Sequence, residues 1–574
     1  MKKFSIALIT GLLFASVVQA QSLQEGINDL YAERYKSAKA TFDKLLASNP
    51  NNIEATYWLG QVHLEQEDVA GAKALYEKAL LASANAPLVI VGMGQVELTE
   101  KKVSEARQRF EAAITMTRGK KGDDPQILNA VGRAITSVYT EKNKLGDINY
   151  AVQQLELASQ QKKVDNALLA DIYLNLGNAY RKAKPGEGGG QAYQAYNSAL
   201  GANANFAAAS HRLAKLFESQ KNSEMFEKYL NEAITKDPRF APAYYDLYYT
   251  AKDLTVAEQW AKKYIESSDA DPQNDYLRVQ TLWKKGSFDE AIAGAKNIIA
   301  QAGAATKART YKLIADAYVQ KKDTPSAKQY IDEYFAKAKP EEVLALDYKL
   351  KADVYSAIPG QEEALFAIYQ EGVKADTVLN NKVELLKKGA EFFKNKGQRE
   401  KEGDLLQLLV NLKPKPTINE MFDVGRAYYF GGAYAKSYAA FDSFQVKYPD
   451  EVYGYEWKFN NAKAIDTTKR DSIAVPMAES LLAFAEKDTA KYKKQYITAA
   501  LYLVDYWANY GKDGAKATQY IDKALIMDPT NESYKNVKKQ LEKSAGAAPR
   551  SSNQSPKTGS SGKFKAAFRE MELV

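Results

Sequence analysis

A fixed spacing of 34 residues constrains the fold of this chain more than any other feature of its sequence. One unit is marked by Gly60, Ala72, Tyr76 and Ala79. At a distance of 34 residues the same slots hold Gly26, Ala38, Phe42 and Leu45 before this unit, and Gly94, Ala106, Phe110 and Ala113 after it. Self-similarity at such a period is typical of a repeat array, in which stacked copies of one unit replace a single compact core.

Each unit is predicted to be a pair of helices. Apolar residues recur at i, i+3, i+4 and i+7 in both halves of residues 53–86, and a tight turn at 66–68 separates the halves. Gly60 falls inside the first helix, where glycine costs about 1 kcal/mol relative to alanine. We therefore expect Gly60 to lie opposite Ala72 and Ala79 at a close approach of two helices, with Tyr76 filling the space beside them.

These slots resemble the tetratricopeptide repeat. That family has a bulky residue, Leu-Gly and Tyr in the first helix, then Ala, Phe or Tyr, Ala and Pro in the second. The fullest matches are Tyr173, Leu176, Gly177, Tyr180, Ala192, Tyr196 and Ala199, and then Met421, Val424, Gly425, Tyr428, Phe441 and Pro449. The resemblance covers about Leu23 to Glu542. It implies an all-α fold, a right-handed superhelical solenoid of about 14 antiparallel helix pairs.

The first twenty residues are interpreted as a Sec signal peptide. Lys2 and Lys3 precede an apolar run, Phe4–Val18, and Ala20 precedes the expected cleavage point. The alternative is a membrane anchor, but a run of about 15 residues is shorter than the roughly 20 that a spanning helix needs. We expect an exported, periplasmic protein without a transmembrane segment in the mature chain. Secretion and peripheral attachment to the outer membrane are the alternatives.

The remaining chain is predicted to have four parts. These are an N-terminal array at 21–239, a more divergent central array at 240–416, C-terminal units with a capping helix at 417–543, and a disordered tether with a short amphipathic end at 544–574. The repeat boundaries around 240–275 and 378–416 stay open.

Composition argues against several chemistries. The chain has no cysteine and only two histidines, His63 and His211, so thiol chemistry and His/Cys metal sites are not expected. His63 occupies a slot usually filled by a core tyrosine, and His211 is expected on the groove face. Asp and Glu fall on faces predicted to be solvated. We expect no catalytic activity, no cofactor and no metal; a net charge of +8 spread over 574 residues also does not favour nucleic acid.

The candidate binding residues follow from the resemblance, which implies that first helices line a concave groove. In the fourth to sixth units the inward slots and their neighbours hold Asn129, Arg133, Asn175, Asn178, Arg181, His211 and Lys215. Asn side chains hold a peptide backbone and cations pair with carboxylates, so an acidic or carboxylate-terminated segment is the expected occupant. Leu174 departs from the polar residue of a strict carboxylate clamp. The alternative is a solvated polar face.

A second candidate set lies in the twelfth unit. Phe422, Arg426 and Tyr429 occupy the same inward slots there. This set suits an apolar anchor of a partner, and packing between neighbouring repeats is the alternative.

The C-terminal segment carries a third set. Phe564, Phe568 and Met571 form one apolar stripe if residues 563–574 become helical. Twelve residues are too few for a stable isolated helix, so we expect the stripe either to dock on a partner or to pack on the last helix of the array.

A further resemblance bears on location. Residues 461–468, 473–476 and 528–531 are similar to the C-terminal portion of exported tetratricopeptide proteins of Bacteroidetes-type bacteria. The function favoured by the sequence is a non-catalytic scaffold or adaptor of the cell envelope that holds peptide segments or helices of envelope or secreted proteins. The alternative is a periplasmic module that binds a solute or glycan.

Overall fold

The computed structural model describes residues 23–83, 85–120 and 122–545, and the regular secondary structure in these ranges is helical. No β-strand occurs over them, and one isolated β-bridge joins Gly119 to Gly122. The chain divides into two compact units: unit 1 ends at Lys321 and unit 2 begins at Lys322. The prediction of an all-α fold is confirmed, and 29 α-helices over the described residues agree with about 14 pairs.

Unit 1 contains the first seventeen of these helices. They are α1 (23–31), α2 (Tyr35–Ser48), α3 (Ile53–Glu65), α4 (Val69–Ala82), α5 (Pro87–Thr99), α6 (Val103–Thr117), α7 (Pro125–Val138), α8 (Ile148–Ser159), α9 (Asn166–Ala183), α10 (Gly189–Ala202), α11 (Ala207–Ser219), α12 (Ser223–Lys236), α13 (Ala241–Thr250), α14 (Leu254–Ser267), α15 (Tyr276–Lys284), α16 (Phe288–Ala302) and α17 (Ala308–Gln320). Short 3₁₀ turns occupy Pro272–Asp275 and Gly303–Ala305.

Unit 2 contains the other twelve. They are α18 (Thr324–Lys337), α19 (Ala345–Ser356), α20 (Glu362–Ala375), α21 (Leu379–Asn395), α22 (Arg399–Leu412), α23 (Ile418–Phe430), α24 (Tyr434–Lys447), α25 (Val452–Ile465), α26 (Ala474–Ala485), α27 (Lys493–Asn509), α28 (Gly514–Met527) and α29 (Glu532–Ala545). Tyr534, Val537 and Leu541 of α29 are buried in the core of the preceding helices.

The glycine slot of the repeat faces an aromatic ring. A Cβ atom built on Gly60 would lie 2.1 Å from Cζ of Tyr76, whose ring is fully buried between α3 and its neighbours. The expectation that Tyr76 fills the space beside Gly60 is confirmed, because the three atoms nearest to such a Cβ all belong to Tyr76. The Tyr76 hydroxyl donates to the carbonyl oxygen of Tyr57 at 2.8 Å, which fixes the ring over the glycine.

The same contact recurs along the array. A Cβ atom would lie 2.5 Å from the ring of Phe110 at Gly94, 2.3 Å from the ring of Tyr196 at Gly177, and 2.3 Å from the ring of Phe441 at Gly425. The ring of the second helix therefore occupies the space that a side chain at the glycine position would need. This steric exclusion explains why glycine recurs at that position in these repeats.

The first helix pair of unit 1 also contacts residues far along the chain. Lys36 Nζ donates to the carbonyl oxygen of Ala270 at 2.6 Å, and Asp269 accepts hydrogen bonds at the start of α2. Tyr31 of α1 packs edge-on against Phe206, with ring centroids 5.6 Å apart. These contacts bring α1 and α2 against the fifth to eighth helix pairs, which a sequence period does not predict.

Several predictions concern residues that the structure does not describe. The signal peptide at 1–20 lies outside the described residues, and so do Phe564, Phe568 and Met571 with nearly all of the segment 544–574. The division into arrays at 239/240 and 416/417 stays a prediction.

Candidate functional site

Arg133 of α7 is the centre of a buried polar network in unit 1. Its guanidinium is ion-paired with Asp171 of α9 and donates to the hydroxyl of Tyr31 at 3.0 Å. It also lies over the ring of Trp58 from α3, 4.2 Å from the ring centroid. The side chain is only 11% exposed. Burial is the largest single influence and lowers the pKa of Arg133. Asp171, Tyr31, Tyr57 and Glu65 together outweigh burial, so the pKa lies above its ordinary value.

Asp171 collects the other members of this network. Asn129 Nδ2 donates to the Asp171 carboxylate at 2.6 Å, and Tyr31 donates its hydroxyl to the same group. Asn175 donates to the Asn129 side-chain oxygen at 2.9 Å. Burial raises the pKa of Tyr31 well above its usual value, so the phenol stays protonated and remains a donor. Asn129, Asn175 and Arg133 are thus engaged with protein partners.

Sequence reasoning missed Asp171. The expectation that carboxylates lie on solvated faces is wrong here, because Asp171 is only 8% exposed. The signal that was present is the spacing of Asp171 and Asn175, since residues four apart share one face of a helix. Asn129 and Arg133 of α7 have the same spacing, but the sequence does not show that these two helix faces meet.

One side of this network opens into a cavity of about 580 Å³, which we call the cationic cavity. Its charged lining consists of Arg133, Arg181, Lys182, Arg212, Glu33 and Glu65. Neutral polar side chains from α3, α7 and α9, among them Asn175 and Asn178, complete the wall. Four cations against two carboxylates give the wall a positive balance.

The cations of the cationic cavity are not equally free. Lys182 Nζ donates to the carbonyl oxygens of Thr136 and Tyr139, and burial together with the charge of Arg212 lowers its pKa. Arg181 makes a long contact, 3.5 Å, to the carbonyl oxygen of Lys215 and interacts with the side chain of Tyr196. Arg212 is exposed and has no hydrogen bond or ion pair to any residue that the structure describes.

Glu33 and Glu65 face Arg212 without an ion pair to it. Solvent reaches both carboxylates, yet protein surrounds them on several sides of the cavity, and this desolvation raises the pKa of each. The charge of Arg212 acts in the opposite direction and lowers both pKa values. An arrangement of separated, incompletely paired charges leaves room for a charged group of a ligand.

His211 and Lys215 lie beside this cavity and are not part of its lining. His211 Nε2 is 2.8 Å from a carboxylate oxygen of Asp246, one repeat farther along the chain. Burial lowers the pKa of His211, and Asp246 acts against that shift. Lys215 Nζ lies 2.5 Å from Glu218 and 3.5 Å from Asp246. The structure therefore brings Arg133 and Arg181 together, whereas His211 and Lys215 contact local carboxylates.

The opposite side of the network opens into a second cavity of about 560 Å³, which we call the aromatic cavity. Four aromatic rings line it, those of Tyr31, Tyr57, Trp58 and Phe206. Its mouth carries the carboxylates Glu54, Asp124 and Asp165. The two cavities share Tyr31, Trp58 and Arg133.

The candidate residues of unit 2 form a different surface. Phe422 packs against Phe441 and Trp457, with ring centroids 5.8 and 6.0 Å apart, and Tyr429 lies 5.0 Å from Trp457. Arg426 is exposed, and its guanidinium lies 5.6 Å from the centroid of the Phe422 ring. Phe422 therefore contributes to packing between neighbouring pairs, while Arg426 covers the edge of that cluster.

His63 is not the core residue that its slot predicts. Its side chain is 22% exposed, and Nδ1 lies 2.7 Å from the carboxylate of Asp68 in the turn between α3 and α4. Because Asp68 also accepts from the backbone N–H of Gly71, His63 joins the cap of α4.

A tetratricopeptide repeat family model matches residues 23–87. Over this segment the chain has the sequence of a tetratricopeptide repeat. Repeats of this family are generally non-catalytic scaffolds that bind other proteins. No protein with curated annotation matches the chain.

Solved tetratricopeptide repeat structures are also similar. The C-terminal part of a repeat protein from Cytophaga hutchinsonii is 23% identical and covers 46% of this chain and 98% of its own, with a TM-score of 0.25. A repeat protein from Parabacteroides merdae is 19% identical over 45% of this chain and 98% of its own, with a TM-score of 0.36. Yeast Tom70 is 13% identical over 73% of this chain and 96% of its own, with a TM-score of 0.33.

Within the described ranges, none of the helices combines the length and the apolar character needed to cross a membrane.

Proposed function

We propose that this tetratricopeptide repeat protein is a scaffold of the bacterial cell envelope that holds a segment of a partner protein in the cationic cavity of unit 1. The observation on which this rests is Arg212, a cation without a protein partner among the described residues, next to Arg181 in the same wall. Export by the predicted signal peptide is part of the proposal.

The partner segment carries an acidic side chain or a terminal carboxylate. A carboxylate placed between Arg181 and Arg212 receives charge-assisted hydrogen bonds, which are the stronger class of hydrogen bond. Lys182 is held by backbone carbonyl oxygens and contributes mainly positive potential. Glu33 and Glu65 line the same cavity and disfavour a segment with several negative charges in a row.

The proposal is tested by crosslinking and pull-down from intact cells with a tagged full-length chain. We expect Arg181→Glu/Arg212→Glu to lose the partner that the parent recovers, and recovery by the parent to fall as salt rises, because exposed charges are screened. The matched control is Lys262→Glu/Lys263→Glu, the same charge change at two strongly exposed lysines outside both cavities. Equal recovery by the parent and the cavity variant would contradict the proposal.

A second candidate is a solute-binding module. The cavity volumes of about 560 and 580 Å³ favour it, since small-molecule sites commonly enclose about 300–1,000 Å³. Native mass spectrometry of the protein purified from envelopes separates the two candidates. A bound mass below about 1 kDa supports the module, and a polypeptide supports the scaffold.

A further inference from the structure

The carboxylates at the mouth of the aromatic cavity have no cationic partner. Glu54, Asp124 and Asp165 form no ion pair with any lysine, arginine or histidine that the structure describes. Arg133 is the one cation in the lining, and Asp171 already neutralises it. Three carboxylates without a cationic partner make this wall negatively charged. The net charge of the whole chain has the opposite sign, at +8.

These carboxylates accept hydrogen bonds only from neutral donors among the described residues. Asp124 accepts from the backbone N–H of Gln126 at 2.8 Å, and Glu54 accepts from the Gln126 side chain at 2.6 Å. Asp165 accepts from the backbone N–H of Leu168 at 2.9 Å. Each bond uses one carboxylate oxygen, and the second oxygen of each group has no hydrogen-bond donor within the described chain.

Behind the carboxylates lies a wall of aromatic rings. Tyr57, Trp58 and Phe206 are 2%, 8% and 7% exposed, so their outer atoms form the cavity surface while their bulk is in the core. Aromatic faces attract cations, and the attraction grows where water is excluded. The position of Arg133 over Trp58 shows that the protein's own guanidinium uses this surface.

Tyr57 contributes a neutral part of the wall of the same cavity. Its hydroxyl oxygen is inaccessible to solvent and interacts with the side chain of Arg133. Burial raises the pKa of Tyr57 to about 12, although the nearby Arg133 acts to lower it. The group is therefore a neutral hydroxyl at pH 7 and adds no charge to the wall of the cavity.

The arrangement does not suit a metal ion. Within the described residues no three His, Asp or Glu side chains converge closely enough to hold one. Carboxylates spread around an apolar cavity match a larger organic cation, whose charge is neutralised at the mouth while its apolar part contacts the rings.

We propose that the aromatic cavity binds an ammonium or guanidinium group that is attached to an apolar part. The group is either the basic side chain of a polypeptide or a free organic amine. Because the cavity adjoins the cationic cavity, a polypeptide with a basic residue close to an acidic one reaches both. Variants that leave Arg181 and Arg212 in place test the aromatic cavity separately from the cationic cavity.

The test is isothermal titration calorimetry on the full chain with two pairs of probes. The peptide pair is acetyl-Leu-Arg-Leu-amide and its citrulline counterpart, which keeps the shape and removes the charge. The small-molecule pair is 2-phenylethylammonium and 2-phenylethanol. We expect a charged probe to bind at least about tenfold more tightly than its neutral counterpart. Binding of the peptide assigns the site to a polypeptide side chain, and binding of the amine alone assigns it to free amines.

The decisive variant is Asp124→Asn/Asp165→Asn. Asparagine caps a helix about as well as aspartate, so the caps of α7 and α9 are kept while two charges are removed. We expect this variant to lose about tenfold in affinity for the charged probe. The control Asp147→Asn/Asp253→Asn makes the same change at the caps of α8 and α14 and should bind like the parent.

Two outcomes would overturn the inference. One is equal affinity of the parent for the charged and the neutral member of both pairs, including no binding of either. The other is equal loss of affinity in the cavity variant and in the cap control.

Discussion

The carboxylate of Asp269 caps helix α2 across 232 residues of sequence, with its oxygens 3.2 Å from the backbone nitrogen of Ser37 and 2.5 Å from the Ser37 hydroxyl oxygen. The residue that precedes α2, Arg34, supplies no side-chain cap of its own. Free N–H groups at a helix start need an acceptor. In unit 1 that acceptor comes from the loop after α14, so the start of the array is stabilised by residues near the end of the unit.

The first prediction concerns this cap. Asp269→Ala removes the acceptor and should destabilise α2 locally by about 0.5–2 kcal/mol, the usual cost of a lost cap. Hydrogen exchange of the α2 amides measures the effect. Asp253→Ala is the control, because Asp253 caps α14 from the adjacent position and should leave α2 exchange unchanged. Parent-like exchange of α2 in Asp269→Ala would show that the contact contributes nothing.

The second prediction concerns the glycine slot. Gly60→Ala places a Cβ atom 2.1 Å from the ring of Tyr76 and should cost about 1–3 kcal/mol by overpacking. Gly201→Ala in α10 is the matched control: its Cβ meets no atom within 4 Å, and it should be neutral or gain up to about 1 kcal/mol. Urea denaturation followed by circular dichroism compares the two. A urea denaturation curve of Gly60→Ala identical to that of the parent would mean that Tyr76 moves aside freely.

The third prediction concerns the pair Arg133–Asp171. Asp171→Asn leaves a buried guanidinium without its counter-charge and should reduce the free energy of unfolding by about 3–5 kcal/mol. Arg133→Met/Asp171→Leu removes both charges and should recover much of that loss. Asp43→Asn breaks the exposed pair with Lys39 and should change stability by no more than about 1 kcal/mol. Similar urea midpoints for the Asp171 and Asp43 variants would rule out a special role for the buried pair.

The fourth prediction concerns pH. Burial lowers the pKa of His211 in the folded state below its ordinary 6.5, despite the nearby Asp246. The unfolded chain then binds more protons than the folded chain near that value, so stability should fall as pH drops through about 6.5. His211→Asn has no such titration. Comparing melting temperatures at pH 7.5 and 6.0, we expect a smaller loss in the variant than in the parent; an equal or larger loss would refute the assignment.

Much of the fold could be predicted because its determinants are local. The Gly60–Tyr76 contact joins residues of one unit, and its recurrence at Gly94 and Gly177 places helix pairs along the sequence. The candidate site could be predicted only in part. Arg133 and Arg181 do line a cavity. The carboxylate that neutralises Arg133, Asp171, does not recur with the repeat period, so the sequence did not indicate that this arginine is paired.

By itself, the sequence determined that this chain folds as helix pairs, because in several pairs a ring of the second helix excludes a side chain at the glycine position of the first helix. Only the tertiary structure decided that Asp171 neutralises Arg133, that Asp269 caps α2, and that Arg212 has no partner among the residues the structure describes. Those relationships depend on the small rotation between successive pairs, which accumulates along the array. No single repeat encodes that sum, so residues on distant helices meet or miss one another only once the whole unit has folded.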